Sequence, residues 1–279
     1  MEPNVRVYQK GNNLSPGKVL RESLQDIYNS RFLARQLAER DIKAQYRQSY
    51  FGIIWLFITP LATAAVWVFL NISGTIRVTD TGTPYPVFAF SGTLLWSIIT
   101  EAINSPTAST KAAKGLLSKI NFPKEALIIS GIYKLLFNSS VKIFLLIAFV
   151  FLFGLGFHWS LLLLPLVILS AVLFGVTMGL FLTPISMLYN DVGKILSMGF
   201  SFLMYITPVV YAIPETGIMK TIMLVNPFTP LILTGRNLLV GAQPEYLSYY
   251  LVLMAGCIPL FFIGLVMYRI SIPILVERN

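Results

Sequence analysis

The residues able to do chemistry in this chain are mostly basic, and their spacing suits anion binding better than catalysis. Arg40, Lys43 and Arg47 recur at i, i+3 and i+7, which gathers three cations on one helix face. Ala34, Ala38, Ile42 and Tyr46 form an i+4 row on another face. A helix of this kind lies on anionic lipid. An ordinary charged flank that only orients the next span is the other reading. Lys134 and Lys142 sit in a stretch of mostly apolar residues, eight residues and about 80° apart on a helix. Charges at that depth snorkel, pair, or contact an anionic cargo.

Catalytic chemistry is poorly represented. No G-x-x-x-x-G-K-[ST] loop occurs, since Gly17-Lys18 and Gly193-Lys194 lack both the upstream glycine and the following Ser or Thr. If ATP drives this protein, another chain hydrolyses it. The twelve acidic residues are spread singly, without the close carboxylate pair that a metal-dependent glycosyl- or phosphotransferase needs. His158 has no second histidine with which to share a metal, and Asp191 is expected on the opposite membrane face. Cys257 is the only cysteine, so neither a disulfide nor a cysteine metal site forms within one chain. The expectation is no catalytic residue, no metal and no cofactor in this chain. Aromatic residues do recur in and near the apolar stretches: Phe51, Trp55, Phe57, Trp67, Trp96, Phe202, Tyr205 and Tyr211. They form lipid-facing packing and interface belts, or they stack sugar faces along a channel.

The elements that position these residues are membrane helices. Of 279 residues, 56% are hydrophobic and only 12% charged, which excludes a soluble domain. The apolar stretches are long and do not alternate, which excludes a β-barrel and predicts an all-α membrane protein. Six spans are read: 53–72 with Pro60 inside, 86–103 with Glu101 near its inner end, 126–157, 161–188, 195–213 and 249–272. Residues 1–22 read as a cytoplasmic tail, and 23–50 as an amphipathic interfacial helix with Ser23 as its N-cap. Residues 51–279 form the six-span domain. Within it, 105–125 is a lysine-bearing inner loop. In 214–244, the apolar pieces flanking Asn226-Pro227 are too short to span and read as outer re-entrant helices. Residues 1–30 contain no apolar stretch of signal-peptide type, so insertion is expected through an internal span. Inner segments hold twelve Lys and Arg against three outside, Arg77, Lys220 and Arg236. Both termini are therefore expected in the cytoplasm. The net charge of +9 sits beside apolar spans, which argues against nucleic acid as a partner.

Several short motifs share one resemblance. Arg40-Asp41-Ile42-Lys43, Tyr46-Arg47-Gln48-Ser49, Gly52, Trp55 and Pro60 resemble the entry segment of type 2 ABC exporter permeases, in the branch exporting O-antigen, capsule or teichoic-acid chains. Lys119-Ile120-Asn121-Phe122-Pro123 resembles the coupling loop of that family. Thr207-Pro208-Val209-Val210-Tyr211 is similar to its Ser-Pro-Ile-x-Tyr stretch, and Asn226-Pro227-Phe228 joins the set. Asn190-Asp191-Val192 resembles its Arg-Asp-Val element with asparagine in place of arginine, which removes any charge contact of that arginine.

The resemblance implies a permease in the cell inner membrane that pairs with a second copy and docks two cytosolic ATPase subunits, which hold ATP and Mg. It implies coupling through Lys111, Lys114, Lys119, Asn121, Phe122, Pro123 and Asp191, and a polyprenyl-diphosphate-linked glycan as cargo, handled amid membrane lipids. Arg40, Lys43, Arg47, Lys134 and Lys142 are then candidates for the diphosphate. Phe51, Trp55, Trp67, Trp96, Phe202, Tyr205 and Tyr211 are candidates for the channel wall. The alternatives are export of another lipid or a drug, or a membrane-embedded glycan-transferring enzyme.

Overall fold

The computed structural model describes residues 15–47, 49–75, 82–117, 119–189 and 191–278, the side chains of 276–278 excepted. Residues 1–14, Gln48, Arg77, Asp80 and Asn190 lie outside the described residues, as does the side chain of Arg278. With them go most of the expected tail and the asparagine of the Asn-Asp-Val element. No strand occurs among the described residues.

The chain begins with two helices where one was expected. α1 (Pro16–Asn29) is capped by Ser15, whose Oγ accepts from the Lys18 N–H, and Pro16 occupies the first turn, where no amide donor is missed. Ser23 is thus not a cap. It is buried in mid-helix and donates to Glu125 Oε1 at 2.8 Å. α2 (Arg31–Arg47) follows after Ser30 and buries Ala34, Leu37 and Ala38 against the bundle; of the i+4 row Ala34, Ala38, Ile42 and Tyr46, the two alanines are buried and Ile42 and Tyr46 half-buried.

Among the described residues five helical stretches are long and apolar enough to cross a membrane. They are Gly52–Ile72, a 3-10 turn continued by α3 (Trp55–Ile72); α4 (Tyr85–Ala112); α6 (Glu125–Leu152); Trp159–Leu188, a 3-10 turn continued by α7 (Leu164–Leu188); and α11 (Leu247–Arg278). α4 is the most enclosed of them and packs against α7, α6 and α3, while α11 packs against α7. Gly175 and Gly179 let α4 and α7 approach backbone to backbone. A Cβ on Gly175 would lie 2.4 Å from the Ala102 Cβ, and one on Gly179 would lie 2.4 Å from the Ile103 carbonyl oxygen. This is the small-xxx-small arrangement that replaces the hydrophobic drive between helices in lipid. Hydroxyls add to it at Thr107–Thr183, at Thr110–Tyr268 and at Tyr250–Ser170.

α4 continues through Pro106 to Ala112, so 105–112 is helix and not loop. Its serines and threonines looked too polar for a span, yet Ser105, Ser109 and Thr110 are buried, with Thr110 also bonded to the Pro106 carbonyl. The inner loop shrinks to 113–124, interrupted by the one-turn α5 (Lys114–Leu117). α6 ends at Leu152 and not at 157, and α11 outruns its expected end at 272.

The expected fifth span changes most. α8 (Asp191–Tyr205) has 15 residues. That is about 22 Å of rise, short of the roughly 30 Å of a hydrocarbon core. The chain then leaves the helix over 206–217, where Pro208 can donate nothing. Carbonyls in this non-helical stretch take side-chain donors. Asn226 Nδ2 reaches the Ile206 carbonyl at 3.0 Å and Thr207 Oγ1 at 2.8 Å, and the Tyr85 hydroxyl reaches the Val210 carbonyl at 3.1 Å. Arg236 donates to the carbonyls of Pro208 (3.1 Å) and Val209. Arg236 lies on α10 (Phe228–Leu239), which with α9 (Ile218–Val225) forms a pair bent by 83° at Asn226-Pro227. Counted as one span that pair makes six, and otherwise it is a re-entrant loop. Arg236 is therefore not an outer surface charge. It is 3% exposed, and its guanidinium carbon lies 3.6 Å from the centroid of the Phe88 ring.

At the other end of the bundle Arg269 of α11 joins three elements. Its Nη1 donates to Asp26 of α1 (2.8 Å) and to Glu125 at the start of α6 (2.5 Å), and its Nη2 lies 3.5 Å from Glu22. Glu125 is only 1% exposed, so the arginine and Ser23 supply the bonds that water does not.

Replacing Arg236 with methionine leaves the Pro208 and Val209 carbonyls without their donors, at about 1–3 kcal/mol for each buried unsatisfied group. Arg236→Met is expected to unfold at a markedly lower temperature in detergent. Gly92→Ala should do the same, because its Cβ would sit 1.8 Å from the Val209 oxygen and 2.2 Å from Arg236 Nη2. Gly199→Ala on exposed α8 meets nothing within 4 Å and should leave the melting curve in place.

Candidate functional site

Three polar stripes spaced by helical turns converge between α2, α3, α4 and α6. On α3 they are Thr59 and Thr63, on α4 Thr93, Ser97 and Glu101, and on α6 Asn138 and Lys142, each set four residues apart. With Gln45 and Tyr46 of α2 and Trp55, Leu56 and Pro60 of α3 they line a cavity of about 300 Å³. Lys142 Nζ forms an ion pair with Glu101 Oε1 and donates to Ser97 Oγ at 3.1 Å. The Tyr46 hydroxyl donates to Asn138 Oδ1 and receives from Gln45 Nε2, both at 3.3 Å. Burial raises the Tyr46 pKa above the usual phenol range, and the Glu101 charge adds to the rise, so Tyr46 stays a neutral hydroxyl at neutral pH.

Of the expected anion contacts, Lys142 is therefore engaged internally. Its side chain is 9% exposed and its charge is met by Glu101, a partner the sequence reading noted only as an inner-end acid. Lys134 lies half-buried on α6 and does not line the cavity. Arg40, Lys43 and Arg47 are exposed on α2, with Arg40 held to its neighbour Asp41 through Nε (3.1 Å) and Nη2 (2.8 Å). The two cavity residues of α2, Gln45 and Tyr46, fall between Lys43 and Arg47 in the chain.

The aromatic candidates separate into different settings. Phe51 and Trp55 meet edge to face at 5.7 Å, Tyr50 meets Phe51 at 5.4 Å, and Trp55 reaches the cavity. Trp96 is not a wall residue. It is buried in the core 5.4 Å from Phe228, which in turn packs on Phe174 at 5.3 Å. Trp67 and Tyr211 are partly buried against the same core, whereas Phe202 and Tyr205 are exposed on α8.

Among the expected coupling residues, Lys114, Lys119 and Asn121 are exposed, and Lys111, Phe122 and Pro123 are half-buried. Lys124 closes this loop by donating to Asn121 Oδ1 (3.2 Å) and the Phe122 carbonyl (2.9 Å), and its ammonium lies 5.2 Å from the Phe122 ring centroid. Burial lowers the Lys124 pKa, partly offset by Glu125. Asp191 stands apart at the start of α8, 3.8 Å from Lys194. Among the described residues no group of three or more His, Cys, Asp or Glu is placed to hold a metal ion.

Comparison with known proteins agrees in kind with this architecture. A family model described as ABC-2 type transporter matches residues 33–240. The chain is 26% identical over 211 residues to the O-antigen export system permease protein RfbA of Myxococcus xanthus, covering 75% of this chain and 80% of that protein. Two proteins of the same name from Klebsiella pneumoniae are 25% and 24% identical over 241 residues, covering 84% of this chain and 89% of theirs.

Glu101→Ala orphans the Lys142 charge, which costs about 3–5 kcal/mol at a fully buried pair and less here, because the Glu101 side chain is 39% exposed. The double variant Glu101→Ala with Lys142→Met is expected to be more stable than Glu101→Ala alone. Thermal unfolding of the four members of this cycle checks the sign.

Proposed function

Since this chain belongs to the ABC-2 type transporter family, we propose that it is the permease subunit of an ATP-driven exporter of a lipid-linked polysaccharide, of the O-antigen, capsule or teichoic-acid type. The observation that carries this reading is the match to O-antigen export permeases along 84% of the chain and 89% of theirs. In it, a second chain supplies the ATPase with its ATP and Mg, in keeping with the absence of a phosphate-binding loop from this sequence. Two permeases pair and two ATPases dock beneath them in the cell membrane.

Geometry supports the details. α8 has no buried residue and α3 only Ala64, so both offer apolar faces to a second copy. In this reading both termini, α1, α2 and the loop 113–124 face the cytoplasm, which the excess of cations on these segments favours, and α9–α10 enters from outside. Loop 113–124 receives the push of ATPase closure, and movement of helices between the two copies opens the path. The carrier's lipid stays in the bilayer while its diphosphate meets Arg40, Lys43 and Arg47 at the inner surface.

Two experiments test this. Tagged chain purified from its own cells should bring down an ATPase whose turnover rises with the cell's lipid-linked polysaccharide; loss of the partner sinks the reading. Arg40→Ala with Arg47→Ala should raise the half-stimulating lipid concentration about tenfold, the effect of ~1.4 kcal/mol, while sparing basal turnover. Equal loss of both rates would make α2 a structural element instead.

A further inference from the structure

The cavity between α2, α3, α4 and α6 belongs to a single protomer, and its chemistry selects an occupant. An anion gains little there, because Lys142 is already neutralised by Glu101. An acyl chain would cover the apolar part of the wall, Trp55, Leu56, Pro60 and Leu94, but would strip water from the hydroxyls, amides and carboxylate without replacing their bonds. What the walls offer is a mixed set of fixed donors and acceptors. Asn138 Oδ1 is taken by Tyr46, which leaves its amide nitrogen as a donor. Thr63 and Thr93 donate to carbonyls of their own helices, at Thr59 (3.0 Å) and Ala89 (2.8 Å), which turns their oxygen lone pairs into acceptors. Glu101 keeps a second carboxylate oxygen, and Pro60 has no N–H to give the Leu56 carbonyl. Trp55 and Tyr46 add ring faces beside these groups.

A polyhydroxylated ring pairs a donor and an acceptor at each hydroxyl and carries apolar C–H faces. We propose that this cavity is a binding site, within each protomer, for one uncharged sugar ring, the unit nearest the diphosphate of the exported glycolipid. This rests on the export reading above. A volume of about 300 Å³ lies at the small end of ligand pockets, about 300–1,000 Å³. It admits a ring or two and no longer chain. The cavity thus reads the lipid-proximal sugar, while Lys43 and Arg47, which flank its α2 residues in the chain, face the diphosphate.

The test uses the permease–ATPase complex in nanodiscs, titrated with farnesyl diphosphate and with its glucose and N-acetylglucosamine conjugates. At least one conjugate should bind about tenfold tighter than farnesyl diphosphate, ~1.4 kcal/mol of sugar recognition. Trp55→Leu and the near-isosteric Asn138→Leu should each erase that gap without weakening farnesyl diphosphate itself, and Thr63→Val should narrow it. Equal binding of all three probes to the unaltered complex overturns the site, as does a gap that survives all three variants. If no probe binds and none stimulates ATP turnover, the export reading falls with it.

Discussion

A backbone that leaves the helix inside a bilayer must find donors for its carbonyls within the protein, and this constraint governs the stretch that follows α8. The donors come from far along the chain. Asn226, Arg236 and Tyr85 hold the carbonyls of Ile206, Pro208, Val209 and Val210, and Gly92 leaves the room in which they meet. The bend at Asn226-Pro227 follows from the same requirement. Asn226 spends its amide on residues 206 and 207 and its oxygen on the Phe228 N–H, so one side chain fixes both the non-helical stretch and the start of α10.

The ionic groups are likewise arranged by what each can find without water. Arg236 meets carbonyls, a hydroxyl and a ring face; Lys142 meets one carboxylate; Arg269 meets three. The cations of α2, and Lys114 and Lys119 of the inner loop, lie exposed, as do Lys18, Arg21, Lys194 and Lys220 elsewhere. Buried cations therefore hold the helices together and exposed ones are free for other molecules. Type alone does not reveal that division, because Lys142 and Lys43 look equally available in a list of residues.

The helical, many-span architecture was legible because long uncharged stretches permit little else, and Ala34 and Ala38 of α2 were legible as buried from their i+4 spacing, whereas Leu37 lies off that row. The breaks were harder. Ser15-Pro16 is a good helix start, but Ser23 is also a plausible cap, and the boundary was drawn there. The far end of α4 was read as loop because Ser105, Ser109 and Thr110 count as polar, although buried helix interfaces in membranes favour such residues. The length of α8 was misread because Thr207-Pro208-Val209-Val210 is apolar enough to continue a span, and nothing local reveals that Arg236 waits nearly thirty residues ahead. The cavity was missed for another reason. Its signal was present as Thr93-Ser97-Glu101 and Asn138-Lys142, polar residues at helical spacing within apolar spans, but it becomes a site only when three helices bring their stripes together.

The Arg269 cluster ties the first helix to the last. α1 and α11 are separated by nearly the whole chain, yet one guanidinium holds them together and holds both to the first residue of α6. The two ends of the described chain therefore share one ionic cluster with the residue at which the inner loop gives way to α6. A force that shifts the loop ending at Lys124 acts on both ends of the protein at once.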